Sequence, residues 1–338
     1  MTRIEQLQKT GIARLGTPAR GFRYRRSDGD RVSATDLERI KKLGIPPAWT
    51  DVWINAVAGG ALQAIGKDAA GRVQYRYHET HVRRQDSRKF KRLVKFAEAL
   101  PKMRTTVASH LRQTGLERDR VMASILRILS TCFMRPGSHV YASENGSFGI
   151  ATLRPKHVKV KGDVIEFDFP GKSGVRQNRE LKDRKVAQVV RSLLKRPSRE
   201  VFEYKNGNGK FVNVTRPHIN AYIREVMGEN FSAKDFRTWA GTLVCACALA
   251  RVDAKTESTP ATRRRIVVKA IKETAEVLGN TPAVCKSSYI CPEIIKSFES
   301  GTIISGHFIS LNQLLNYRGH KLHAAERSLL KLMKRTAN

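Results

Sequence analysis

Leu278-Gly279-Asn280-Thr281-Pro282-Ala283-Val284-Cys285-Lys286-Ser287-Ser288-Tyr289 is the stretch on which the reading of this chain turns. A glycine suits the left-handed position that ends a helix, because it has no Cβ to clash there. Thr281 and Pro282 fit the cap and first position of a new helix, where a hydroxyl accepts an orphan backbone N–H and proline needs none. The spacing predicts a helix closing at Gly279, another opening at Pro282, and Tyr289 about two turns on. Helical side chains lean toward the N-terminus, so the ring points back toward Asn280. On these residues alone this is a helical corner with an ordinary tyrosine. Its weight depends on whether the rest of the chain supplies what a nucleophilic tyrosine needs.

Composition indicates the class of partner. Across 338 residues Lys and Arg outnumber Asp and Glu by 63 to 30, a formal net charge of +33. With a pI near 10.5, such self-repulsion opposes compaction unless a polyanion neutralises it. Anionic membrane is one such polyanion, but no apolar run approaches ~18 residues. The Met-Thr-Arg-Ile-Glu start lacks a signal peptide's apolar core, and no lipidation motif is visible. Nucleic acid is the expected partner, with no membrane association. With 41% apolar residues the chain supports two domains and a real core. The five cysteines (Cys132, Cys245, Cys247, Cys285, Cys291) are odd in number and lack zinc-ribbon spacing. His78-x-x-His81 has no partner ligands, so buried free thiols and no metal are expected.

The texture of the chain changes near residue 87. Before it, residues 1–31 are basic and glycine-broken, with Phe22–Arg25 as a short strand. Thr35-Asp36-Leu37-Glu38 reads as a capping box opening a helix that stops at Gly44. Short apolar runs then alternate with glycine turns, as in β-hairpins. In Arg72–His78, Arg72, Gln74 and Arg76 share one strand face and Val73, Tyr75 and Tyr77 the other. From Ser87 the apolar spacing is helical: one helix ending at Pro101, a second through Met103, Val107 and Leu111, and a third, central one through Val121–Phe133. That third helix stops at Met134-Arg135-Pro136-Gly137, because the residue before proline resists the helical conformation. A β island follows, with strands expected at 148–153, 157–160, 164–169 and 175–181, and Lys172 at a hairpin apex. Helices resume at Asp183. The expectation is an α+β chain: a β-rich domain over residues 1–86 and a mainly helical domain with a short sheet over 87–338.

Several phosphate chemistries are excluded by what is missing. Gly171-Lys172-Ser173 invites a Walker A reading, but that motif needs a glycine where Glu166 stands and a helix where a strand follows. A two-metal nuclease needs clustered carboxylates, and the acidic residues are scattered, Glu166 and Asp168 being the best pair. A serine hydrolase would need a Gly-x-Ser-x-Gly elbow. Metal-free catalysis by cations and a tyrosine remains. Tyrosine has a reference pKa of about 10, so its phenolate attacks only where cations surround it. Arginine matches two phosphate oxygens with its fork, while lysine can release a proton as a general acid. Arg135 at a helix end, Lys172 on a hairpin tip and Arg237 just inside a capped helix are displayed for such work. Spacing and composition alone do not single them out among 63 basic residues.

Taken in order, Arg135, Gly171-Lys172, Lys234-x-x-Arg237 and Asn280…Tyr289 resemble the signature of type IB DNA topoisomerases of the small poxvirus-like bacterial group. Gly71-Arg72-Val73-Gln74-Tyr75-Arg76-Tyr77 resembles that family's N-terminal DNA-contact strand. Together the motifs cover roughly residues 20 to 300. The resemblance implies a monomer clamping double-stranded DNA between two lobes, without ATP, cofactor or obligatory metal, and located with the nucleoid in the cytoplasm.

It also implies roles. Tyr289 attacks the phosphate and takes the 3′ end, releasing a 5′-hydroxyl strand that swivels before resealing. Arg135 and Arg237 clamp the nonbridging oxygens, and Lys172 protonates the leaving oxygen with Lys234 as helper. Asn280 stands where many relatives carry histidine, so it is expected to donate a hydrogen bond and move no proton. Ser173 stands where viral relatives carry an acidic residue, a departure that argues against a proton relay through that position. Arg72, Gln74, Tyr75 and Tyr77 are the DNA-contact candidates. A tyrosine recombinase shares this chemistry, but usually has His-x-x-Arg and Leu-Gly-His where this chain has Lys234-Asp235-Phe236-Arg237 and Leu278-Gly279-Asn280. A basic DNA-packaging protein would leave the ordered motifs unexplained.

Overall fold

The computed structural model describes residues 2–228, 230–252 and 259–337. It mixes helices with small antiparallel sheets and divides into two compact units, Met1–Phe90 and Lys91–Asn338.

In the first unit a short helix α1 (Arg3–Thr10) precedes strands β1 (Ile12–Thr17) and β2 (Gly21–Arg26), helix α2 (Ala34–Lys42), and strands β3 (Thr50–Ile54), β4 (Leu62–Lys67) and β5 (Val73–Tyr77). The strands form one sheet in the order β2-β1-β3-β4-β5. Ile12, Val52, Ile54 and Ala64 of the sheet pack with Ile40 of α2 to form its core. Two elements depart from expectation. The basic start folds as α1, capped by Thr2 and Glu5 in a reciprocal capping box, and as β1. The cap of α2 is Ser33, whose Oγ accepts the Asp36 N–H at 3.1 Å, not Thr35. Both follow from side-chain oxygens reaching the N3 backbone donor.

Helix α3 (Glu79–His110) carries the chain into the second unit. It runs through Pro101, where a break was expected, and begins well before Ser87. Leu93, Phe96, Ala97, Leu100, Met103 and Val107 form one continuous buried stripe across the proline, and that packing outweighs the loss of one backbone bond.

The second unit continues with α4 (Arg118–Cys132), α5 (His139–Asn145), the sheet β6 (Val158–Lys161), β7 (Val164–Pro170) and β8 (Arg176–Lys182), and α6 (Arg184–Leu194). A small pair, β9 (Glu203–Lys205) and β10 (Phe211–Asn213), precedes α7 (Arg216–Met227), α8 (Ala233–Ala250), α9 (Pro260–Leu278), α10 (Pro282–Ser288), α11 (Pro292–Glu299), α12 (Leu311–Leu315) and α13 (Ala324–Ala337). Helix α8 is the axis: every residue except Lys234 is buried, as its all-round apolar sequence demands.

The strand expected over 148–153 is absent, whereas the one expected at 157–160 forms as β6, shifted by one residue. Ile150–Thr152 and Pro155–His157 are 3₁₀ turns, and pairing begins only at Val158. The reason lies in where the backbone donors go. Ile150 N–H bonds to Arg135 O and Ala151 N–H to Pro136 O, each at 2.9 Å. This segment straps the Arg135 loop in place and is therefore unavailable to a ladder.

Candidate active site

The site is built where α4, α8 and α9 end or begin beside α10. Phe133 closes α4 in the left-handed conformation, with φ of 52°, a setting uncommon for a bulky residue. Its carbonyl thereby faces α8 and accepts from Nη1 of Arg237. Nη2 of the same guanidinium donates to Leu278 O at 2.9 Å, at the end of α9. Arg237 was expected to be displayed at a helix start; it is instead 3% exposed. Asp235 shapes that start by accepting from the Ser232 N–H and hydroxyl, each at 2.9 Å.

The opening stretch folds as its sequence dictates. Gly279 caps α9 with φ of 59°, Asn280 N–H returns to Ala275 O, and Thr281 caps α10 with Pro282 at its first position. Tyr289 ends α10, its N–H bonded to Cys285 O at 3.0 Å. The Arg237 guanidinium lies 5.0 Å from the centre of its half-buried ring. Burial pushes the phenol up, but the charge and hydrogen bond of Arg237, with the charges of Arg135 and Lys234, outweigh it, and the net shift is down. Burial pulls both Arg237 and Arg135 down, yet a guanidinium stays charged at neutral pH.

Arg135 donates to Oδ1 of Asn280 and, weakly at 3.5 Å, to Gly279 O. The Asn280 Nδ2 and the Arg237 Nε are buried with no hydrogen-bond partner. An unmet buried donor costs about 1–3 kcal/mol, so two in one corner are a cradle for an acceptor-rich group. A phosphate brings such acceptors.

Residues 78–300 match the catalytic core of eukaryotic DNA topoisomerase I, and residues 21–68 match the N-terminal domain of bacterial DNA topoisomerase IB. DNA topoisomerase 1B of Acanthamoeba polyphaga mimivirus is 36% identical over 297 residues, covering 86% of this chain and 88% of that protein. The chain belongs to the type IB DNA topoisomerases. DNA topoisomerase 1B of Vaccinia virus (strain Copenhagen) is 25% identical over 270 residues, covering 77% of this chain and 81% of its own length. DNA topoisomerase 1 of Drosophila melanogaster matches 197 residues at 23% identity, 56% of this chain and 18% of its own. Membership gives topoisomerase activity in general and DNA as partner. Among the described residues no helix is long and apolar enough to cross a membrane, and no cluster of His, Cys, Asp or Glu is arranged to hold a metal ion.

Within this topoisomerase fold the structure brings Arg135, Arg237, Asn280 and Tyr289 together. Lys234 is exposed on the first turn of α8, near enough for its charge to act on Tyr289. Lys172 is exposed on the turn between β7 and β8, where Ser173 and Gly174 are left-handed. What positions its hairpin is β8. Arg179 Nη2 donates to Val277 O at 3.2 Å and to Gln177 Oε1 at 3.1 Å. A Cβ on Gly279 would meet that Gln177 oxygen at 2.5 Å.

In the first unit Tyr75 and Tyr77 stack at 6.1 Å and are 44% and 38% exposed, with His81 stacked on Tyr77. Gln74 is engaged by Asp68, its Nε2 donating at 2.9 Å, and the Arg72 N–H donates to the same carboxylate. Sequence reasoning missed Phe133, Gln177 and Arg179. The only signal was the i, i+2 spacing of the last two, which puts them on one strand face.

Proposed function

We propose that this topoisomerase relaxes supercoils of either sign, without metal or ATP, by transient cleavage of one strand, swivelling of the freed end and religation, with Tyr289 as nucleophile. The phenolate oxygen attacks the scissile phosphorus and joins the 3′ end, while the 5′ oxygen leaves with a proton. Arg135, Arg237 and the Asn280 amide hold the nonbridging oxygens, an electrostatic task of the oxyanion-hole kind. Lys172 supplies the proton, its hairpin carrying it to the leaving oxygen when DNA is bound, with Lys234 assisting. The phosphotyrosine keeps the diester's free energy, so reversal reseals the strand. A monomer gripping duplex DNA through both units, with Arg72, Gln74, Tyr75 and Tyr77 on the duplex, completes the reading, and the nucleoid is the place for it.

The observation that carries this is the Arg237 guanidinium set against the Tyr289 ring, in a corner with unmet N–H donors. The deciding experiment is plasmid relaxation in EDTA without ATP, for the wild type and Tyr289→Phe. The wild type relaxes both positive and negative supercoils, and the Phe variant binds DNA but relaxes neither. Relaxation by Tyr289→Phe, or a strict need for magnesium, would overturn the reading.

A further inference from the structure

We propose that Thr242, with Gly241 beside it, is a positioning residue that fixes the backbone of Tyr289; this rests on Tyr289 being the nucleophile. Tyr289 is the cap of α10, with φ of −127° and ψ of −17°, so the helix holds its N–H but leaves its carbonyl without an intrahelical partner. The Thr242 hydroxyl donates to that carbonyl at 3.1 Å and accepts the Cys291 N–H at 3.2 Å. One hydroxyl thus ties down the chain on both sides of Ile290. Thr242 is fully buried, so water has no route to replace it. A helical threonine ordinarily bonds back to the preceding turn, as Thr238 does to Lys234 O and Thr274 to Ala270 O. Thr242 turns its hydroxyl across to Tyr289 instead.

Gly241 explains how the two segments come so close. A Cβ there would lie 2.9 Å from Tyr289 O and 3.0 Å from Tyr289 Cβ, tighter than packed carbons tolerate. Glycine in a buried helix interior weakens the helix, and here its use is this approach. Arg237 and Gly241 are four residues apart on α8 and so share a face. One rigid helix therefore sets both the cation beside the ring and the backbone that carries the ring. Only the tyrosine's own side-chain torsions remain free, and a misplacement of about 1 Å in such a site slows chemistry about 10²-fold.

The test is single-turnover formation of the covalent adduct on a DNA duplex, with Tyr289→Phe in parallel. Thr242→Val keeps the shape and loses the hydroxyl; it is expected to slow cleavage and resealing alike by about tenfold or more, leaving the cleavage equilibrium and DNA affinity unchanged. Thr242→Ser restores the rate to within about threefold, and Gly241→Ala behaves like the valine variant. Wild-type rates in both Thr242→Val and Gly241→Ala would overturn the proposal. So would a serine variant as slow as valine, or rate losses matched by equal losses of DNA binding. An adduct formed by Tyr289→Phe would instead overturn the nucleophile assignment.

Discussion

Arg135 donates a hydrogen bond to Oδ1 of Asn280, and because a guanidinium has no acceptor, that bond fixes which way the amide faces. The nitrogen is left buried and unpartnered, on the side where a nonbridging oxygen would be held. Asn280→Ala should therefore slow single-turnover cleavage about 10²-fold, the usual effect of removing one such donor. Asn280→His, which restores an N–H, should stay within about tenfold of wild type. Asn280→Asp satisfies Arg135 but offers no donor, and should be at least as slow as alanine. Equal rates for His and Ala would show that the donor is not used.

The depressed pKa of Tyr289 has a direction that pH can check. Its cations favour the phenolate, so cleavage should rise with pH and level off below the ordinary tyrosine value of about 10. Removing a cation must raise the pKa, so Lys234→Ala should move the profile to higher pH. Because Lys234 is exposed, its effect should shrink as salt increases. A pH–rate series at two ionic strengths measures both. An unmoved profile at low salt would mean that the Lys234 charge does not reach the phenol.

Gly279 is constrained in two separable ways. Its φ of 59° costs an L-residue roughly 1–2 kcal/mol, and an added Cβ would also strike Gln177 Oε1 at 2.5 Å. Gly162, in the turn between β6 and β7, shares the backbone conformation with φ of 55° but has open space around it. Gly162→Ala should lose only the backbone contribution in denaturant unfolding, while Gly279→Ala loses more and also slows cleavage, since Asn280 and Leu278 flank it. Equal losses would show that β8 yields easily to the extra methyl.

Local chemistry explains what the sequence made legible. Gly279, Thr281 and Pro282 each act on their own backbone, so the corner before Tyr289 could be placed without knowing its neighbours. The Gly171–Gly174 turn likewise announces the hairpin that carries Lys172. Elements whose hydrogen bonds go elsewhere were hidden. Ile150 and Ala151 look like strand residues, yet their N–H groups serve the Arg135 loop. Phe133 adopts a glycine-like backbone that nothing in its identity announces, and Arg237 is held by carbonyls 104 and 41 residues away. Pro101 misled for a related reason: packing on both sides of it decided the helix, and packing is not a local property. The candidate site is thus legible as a set of residue types in order, and its geometry is legible only in three dimensions.

Lys172 sits on an exposed turn, and its proposed task differs in kind from those of Arg135, Arg237, Asn280 and Tyr289. Proton donation to a leaving oxygen is worth about 10²–10⁴-fold, so Lys172→Ala should slow cleavage by that much. A substrate with sulfur in place of the leaving 5′ oxygen expels a thiolate, a far weaker base that leaves without a proton. On that substrate Lys172→Ala should cleave nearly as fast as wild type, while Arg237→Ala should stay slow, because charge on the phosphate oxygens still needs holding. If Lys172 merely contacts phosphate, sulfur gives no rescue, and the salt dependence of binding falls by the equivalent of about one counterion. Single-turnover rates on the two substrates, with binding measured across salt, separate the two roles.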